Sequence, residues 1–171
     1  PKMQALTTTQ IAAIETVDLA ALKTEQLRAL SSAQLQALTT DQVVALQAKQ
    51  VQGLSTAQTL ALTSDQVGVL TSEQLKALTS NQLMAMSTAQ FAALTSDQVS
   101  AFKNNQIATI EINDLQALGT GQVAALTSTQ IQNLTTAQVA SLTTEQVGAL
   151  ETLDVAALSK AQLQADRKST R

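Results

Sequence analysis

Large apolar residues recur every eight positions along the chain. Aligned on Leu6, the series runs Leu6, Ile14, Leu22, Leu30, Leu38, Leu46, Leu54, Leu62, Leu70, Leu78, Met86, Leu94, Phe102, Ile110, Leu118, Leu126, Leu134, Leu142, Leu150 and Leu158, twenty positions without an insertion or deletion. A second series starts five residues after the first, at Ile11 and Leu19, and ends at Val155 and Leu163; nineteen of its twenty members are apolar. The exception is Thr59, whose place in the packing Leu60 is expected to take. Between the anchors lies a polar group of four, such as Thr39-Thr40-Asp41-Gln42. Its last residue is Gln in seventeen repeats and Asp in three, and its first is Ser or Thr in thirteen of twenty.

The period selects the element. In one long helix, eight residues advance by about 800°, so the apolar row would drift by about 80° per repeat and form no stable stripe. A β-solenoid is the alternative, since Thr and Val suit strands. Anchors five apart, however, fall on opposite faces of a straight strand. Solenoid corners also usually draw on Gly, Asn or Asp, and the chain has five Gly in 171 residues. One short helix per repeat accounts for the polar group directly. Ser/Thr-x-x-Gln is a capping box, with the hydroxyl accepting from the third helical N–H and the Gln side chain reaching back to the cap N–H. The flanking anchors form a hydrophobic staple, as Leu38 and Val43 do around Thr39–Gln42. Acids at the second helical position, among them Asp41, Asp65, Glu73, Asp97 and Glu145, suit the positive end of a helix.

Each helix has room for about six or seven residues, far too few to be stable alone in water. The helices must therefore stack so that the two apolar rows merge into one core, which is the physics of a solenoid. The expected fold is all-α, a solenoid of about twenty short capped helices. The small residue before each first-series anchor, usually Ala, permits close approach of neighbouring backbones. The residue after the second anchor is more polar in alternate repeats, which hints at a sixteen-residue pair. No Pro/Gly linker or composition shift divides the body, so residues 3–164 read as one repeat domain and 165–171 as a disordered polar tail. Met3-Gln4-Ala5-Leu6 fits the second half of a unit, so the chain reads as starting inside a repeat, either as a fragment of a longer array or with an unusual cap.

Composition then narrows the chemistry. The chain carries 10 Lys+Arg and 13 Asp+Glu, and four of the basic residues cluster at Lys160, Arg167, Lys168 and Arg171. The acidic body offers no track for a phosphate backbone, which argues against nucleic acid as a partner. With no Cys, His, Trp or Tyr, disulfides, thiolate chemistry, imidazole catalysis and Cys/His metal sites are excluded. No apolar run is long enough to insert into a membrane.

Three repeats replace the cap with Glu and the Gln with Asp: Glu15/Asp18, Glu111/Asp114 and Glu151/Asp154. A carboxylate pair is the raw material of a Ca²⁺ site or of acid–base work. Without a Gly-turned loop or a partner base, these pairs read as variant helix starts that place acids at the positive end. No catalytic residue, cofactor site or metal site is assigned. The hydroxyls lack an activating base, and capping explains their spacing. Met84, Met86 and Phe91 fall on core or near-core rows. Lys103-Asn104-Asn105 and Gly119-Thr120-Gly121 break the cap rule and are expected to be looser turns.

Two resemblances follow from these motifs. Leu38–Leu46, LTTDQVVAL, resembles the opening helix of the repeats of transcription-activator-like effectors. That family's longer repeat, variable loop pair and second helix are missing here, so DNA binding does not carry over. The body, 3–164, resembles the tandem A-L-T-T-x-Q octapeptide-repeat regions of large bacterial proteins of the secreted, surface or flagellar kind. That resemblance implies a structural or spacer role in an extracellular or cell-surface setting, and it carries over no catalytic residue. The expected function is a non-enzymatic rod or spacer. The alternatives are a protein-binding scaffold, with Arg28, Lys49, Lys76 and Lys103 as contacts, or a filament segment that self-associates through open solenoid ends.

Overall fold

The computed structural model describes residues 3–150 and 152–169. Among the described residues the elements are a short 3-10 turn, Met3–Ala5, and twenty α-helices, with no strand. The fold is an α-solenoid, and the β-solenoid alternative is set aside. The helices are shorter than the spacing suggested. α13 (Asn104–Ile107) has four residues, α5 (Thr40–Ala45) has six, and the rest up to the last fall within those limits.

The reason lies in how each helix ends. At the end of α5 the anchor Leu46 is already extended, with φ −61° and ψ 137°. The cap residue that follows an anchor is extended too, as at Thr39 (φ −69°, ψ 161°). Two consecutive extended residues therefore turn the chain from one helix into the next. No described residue has a positive φ, so these corners need no Gly, and a sequence poor in Gly builds a sharply turning solenoid.

Contacts divide the chain into two units, Pro1–Met86 and Ser87–Arg171. Within each, a helix packs on the third helix after it. In the first unit α2 (Thr16–Ala21) lies on α5, and α6 (Ala48–Gln52) lies on α9 (Ser72–Ala77). In the second, α11 (Thr88–Ala92) packs on α14 (Ile112–Ala117), α14 packs on α17 (Thr136–Ser141), and α17 packs on α20 (Lys160–Ser169). The stacking interval is thus three repeats rather than the two hinted at by alternation in the sequence. The ten-residue α20 runs past Ala165, where the repeat pattern ends.

Both anchor rows point inward, except at the end of the array, where Val155 and Leu163 are exposed. Second-series residues such as Ile11, Leu35, Phe91 and Ile131 are fully buried, and first-series residues such as Leu38, Met86 and Phe102 are nearly so. Burying a side chain of this size stabilises by about 1.5–3 kcal/mol relative to exposure, whereas one cap contributes only about 1 kcal/mol. Two expectations need correction. Thr59 keeps the inward place itself, its Oγ1 donating to the carbonyl of Ser55 at 3.1 Å; Leu60 stays on the surface. Met84 is exposed as well, since the position after the second anchor faces outward.

Candidate functional site

The most constructed feature of the molecule is the Gln that ends each polar group. Its Oε1 accepts the backbone N–H of the cap residue three positions earlier, as between Thr39 and Gln42 (2.8 Å) and between Thr71 and Gln74 (2.8 Å). The cap hydroxyl accepts the Gln backbone N–H in return, at 3.2 Å for Thr39 and 3.3 Å for Thr71. Where the cap is Lys23, Gln47, Lys103 or Gly119, the Gln half of the exchange persists, at 2.8, 2.7, 2.8 and 2.6 Å. That corrects the expectation of loose turns. At Gly119 the helix α15 (Thr120–Ala124) starts normally, and α13 after Lys103 is merely the shortest helix.

The other end of the same amide does something the sequence did not announce. In the first unit Gln42 Nε2 donates to the carbonyls of Ile11 (3.0 Å) and Ile14 (2.7 Å). Gln50 repeats this toward Leu19 and Leu22, Gln66 toward Leu35 and Leu38, and Gln74 toward Val43 and Leu46. In the second unit Gln130 reaches Val99 and Phe102, Gln138 reaches Ile107 and Ile110, and Gln162 reaches Ile131 and Leu134. The separations are always 31 and 28 residues. The acceptors are the last-turn carbonyl and the corner carbonyl of the helix four repeats earlier, groups that a short helix leaves without a complete set of partners.

One planar amide therefore closes the start of its own helix and the end of another. These glutamines are buried, Gln74 to 1% and Gln130 to 1% exposure. Gln10 and Gln26, which have no helix of this chain four repeats earlier, are exposed. Only Gln fits both tasks. Glu and Asp when ionised have no donor, and Asn is one methylene shorter.

The acid pairs diverge. Glu15 and Glu111 cap α2 and α14 without a side-chain hydrogen bond. Asp18 is exposed, whereas Asp114 is buried to 5%. Burial first, and the Glu111 charge second, raise the Asp114 carboxyl above its ordinary value. Glu151 and the side chain of Asp154 lie outside the described residues. The structure brings Glu111 and Asp114 together at the start of α14. No group of three Asp, Glu, His or Cys among the described residues is placed to hold a metal ion.

Two grooves sit at the same register, where one helix start meets the start three repeats on. In the first unit Lys23, Glu25, Gln47 and Lys49 line a groove of ≈ 370 Å³. In the second, Glu111, Ile112, Thr135 and Gln138 line one of ≈ 440 Å³. Of the four basic residues considered as partner contacts, only Lys49 lines either groove. Lys76 pairs with Glu73 on the surface at 3.2 Å. None of the described helices is long and apolar enough to cross a membrane.

A search among curated proteins returns no match. Four stretches of the chain, 11–48, 44–80, 69–104 and 107–144, match the family model described as the ALTTAQ repeat. The matched stretches cover most of the array, and they contain both the capping hydroxyls and the bridging glutamines. The chain belongs to the ALTTAQ-repeat family.

Proposed function

We propose that this chain is a structural repeat module, a rod or spacer within a larger bacterial protein, with no catalytic role of its own. One observation carries the reading. The recurring polar chemistry of the repeat is turned inward, with each bridging Gln committed to backbone groups of its own helix and of a helix four repeats away. The membership in a repeat family supports a structural module in the same sense. In this reading repeat number sets length, the array can form a superhelix of any number of turns, and residues 3–164 act as one continuous module. Stability then grows by nearest-neighbour increments, as in other solenoids.

The test is small-angle scattering of the chain and of variants lacking two or four whole repeats, each over a concentration series. A constant cross-section with maximum dimension falling in equal steps is expected. A particle whose longest dimension ignores repeat number would overturn the spacer reading. Lengthening with concentration would reassign the module to self-assembly through its ends.

A further inference from the structure

Asp114 is the place where this chain departs from its own construction inside the core. It occupies the bridging position of α14 but is acidic and one methylene shorter than Gln. It is 5% exposed, and no hydrogen bond of its carboxylate is found among the described residues. Its helix packs on α11 and α17, neither of which carries an ionisable side chain. From Asn104 to Thr144 the only ionisable residues are Glu111 and Asp114 themselves. Lys103, Asp97 and Glu145 lie outside that stretch, at or beyond the starts of α13, α12 (Ser96–Ala101) and α18 (Thr144–Ala149). No cation from α11, α14 or α17 offsets the desolvation of a charge at this position, and the neighbouring Glu111 repels it.

We propose that Asp114 makes the second unit responsive to pH, its proton acting as the switch that tightens or loosens the start of α14. The neutral carboxyl carries no charge for the buried position to desolvate. The ionised form is an acceptor only, in the position from which Gln122, Gln130, Gln138 and Gln146 donate to carbonyls. The upward displacement of the Asp114 carboxyl by burial and by Glu111 agrees with this geometry. The sign follows from linkage. A carboxyl raised in the folded state favours unfolding when ionised. The destabilisation is complete above the folded-state pKa, shrinks as pH falls through it, and vanishes below the unfolded-state value of about 3.9. The second unit is therefore tighter in mildly acidic than in neutral solution. Asp18 carries the same substitution on the surface of the first unit and supplies an internal control.

The experiment is hydrogen exchange on the full chain between pH 4 and 8, corrected for intrinsic chemical exchange, comparing the native sequence with D114Q and D18Q. At neutral pH the amides of 112–118 should be protected about three- to tenfold more in D114Q than in the native chain, with the gap closing toward pH 4. D18Q should leave the protection of 112–118 unchanged. A D114Q gap that is absent, or the same at pH 4 and pH 8, would overturn the proposal. Should D114Q fail to fold, a carboxyl ¹³C titration of the native chain and of E111Q decides instead. An Asp114 midpoint above the ordinary carboxylate value that moves down in E111Q is expected. A midpoint at the ordinary value in the native chain sinks the idea.

Discussion

The starts of α14 and α17 pack against each other in the same register, yet they are built differently. At Thr135–Gln138 the cap N–H donates to Gln138 Oε1 at 2.8 Å, the hydroxyl accepts the Gln138 N–H at 3.1 Å, and Nε2 reaches Ile107 and Ile110. At Glu111–Asp114 no side-chain cap bond is made. The backbones nevertheless turn alike, with φ −69° and ψ 158° at Thr135 against φ −68° and ψ 153° at Glu111. The corner is therefore held by the apolar rows on either side of it. The polar group adds stability and register but is not needed, one repeat at a time, to define the turn. That tolerance explains how the repeat with Glu111 and Asp114 sits among repeats with complete capping boxes.

Four substitutions break or sharpen this comparison. The largest effect is expected where the two starts are alike, in the shared core. Leu115 is fully buried, and Leu115→Asp should destabilise the second unit by more than about 4 kcal/mol through an unpaired buried charge. Circular dichroism should show helix lost at temperatures where the native chain is folded. Next, Gln138→Glu turns the well-built start into a copy of the acidic one. About 3 kcal/mol should be lost at neutral pH, when an ionised Glu faces two carbonyls. Urea midpoints measured down the pH scale should recover as the buried carboxyl takes a proton. A midpoint indifferent to pH would mean that the Gln amide is replaceable there.

Smaller still, Thr135→Ala removes only the cap hydroxyl, and a loss of about 1 kcal/mol is expected in the same unfolding assay. If Thr135→Ala cost as much as Gln138→Glu, the ranking of bridge over cap would be wrong. The smallest change is expected in the first unit, at the exposed pair of Lys76 and Glu73. Lys76→Ala should move stability by less than about 0.5 kcal/mol, and added salt should erase the difference.

Much of this molecule was legible in its sequence because the relevant interactions are local. The Ser/Thr-to-Gln exchange spans three residues, so its pattern marked each helix start directly. The apolar rows marked what lies inside, and only single positions were misplaced. Leu60 did not replace Thr59, because a threonine can satisfy its own hydroxyl on the preceding turn. Met84 lay outside although it resembles a core residue, because its row faces solvent. The second use of the Gln was not legible. Nothing in an eight-residue unit says that the free end of its amide will meet carbonyls 28 and 31 residues away. A signal was present in that Gln was strongly preferred over Glu. A capping box alone accepts either, and only a demand for a donor separates them.

The sequence by itself determined the number and starts of the helices, the two inward rows and the absence of imidazole and thiol chemistry. All of these follow from interactions within one repeat or from composition. Only the tertiary structure decided that the third and fourth neighbours meet, which glutamines are buried, and that Asp114 is enclosed while Asp18 is exposed. Those outcomes depend on how far each corner rotates the next helix, summed over several repeats. The fit of apolar side chains between helices sets that angle, and no single repeat encodes it.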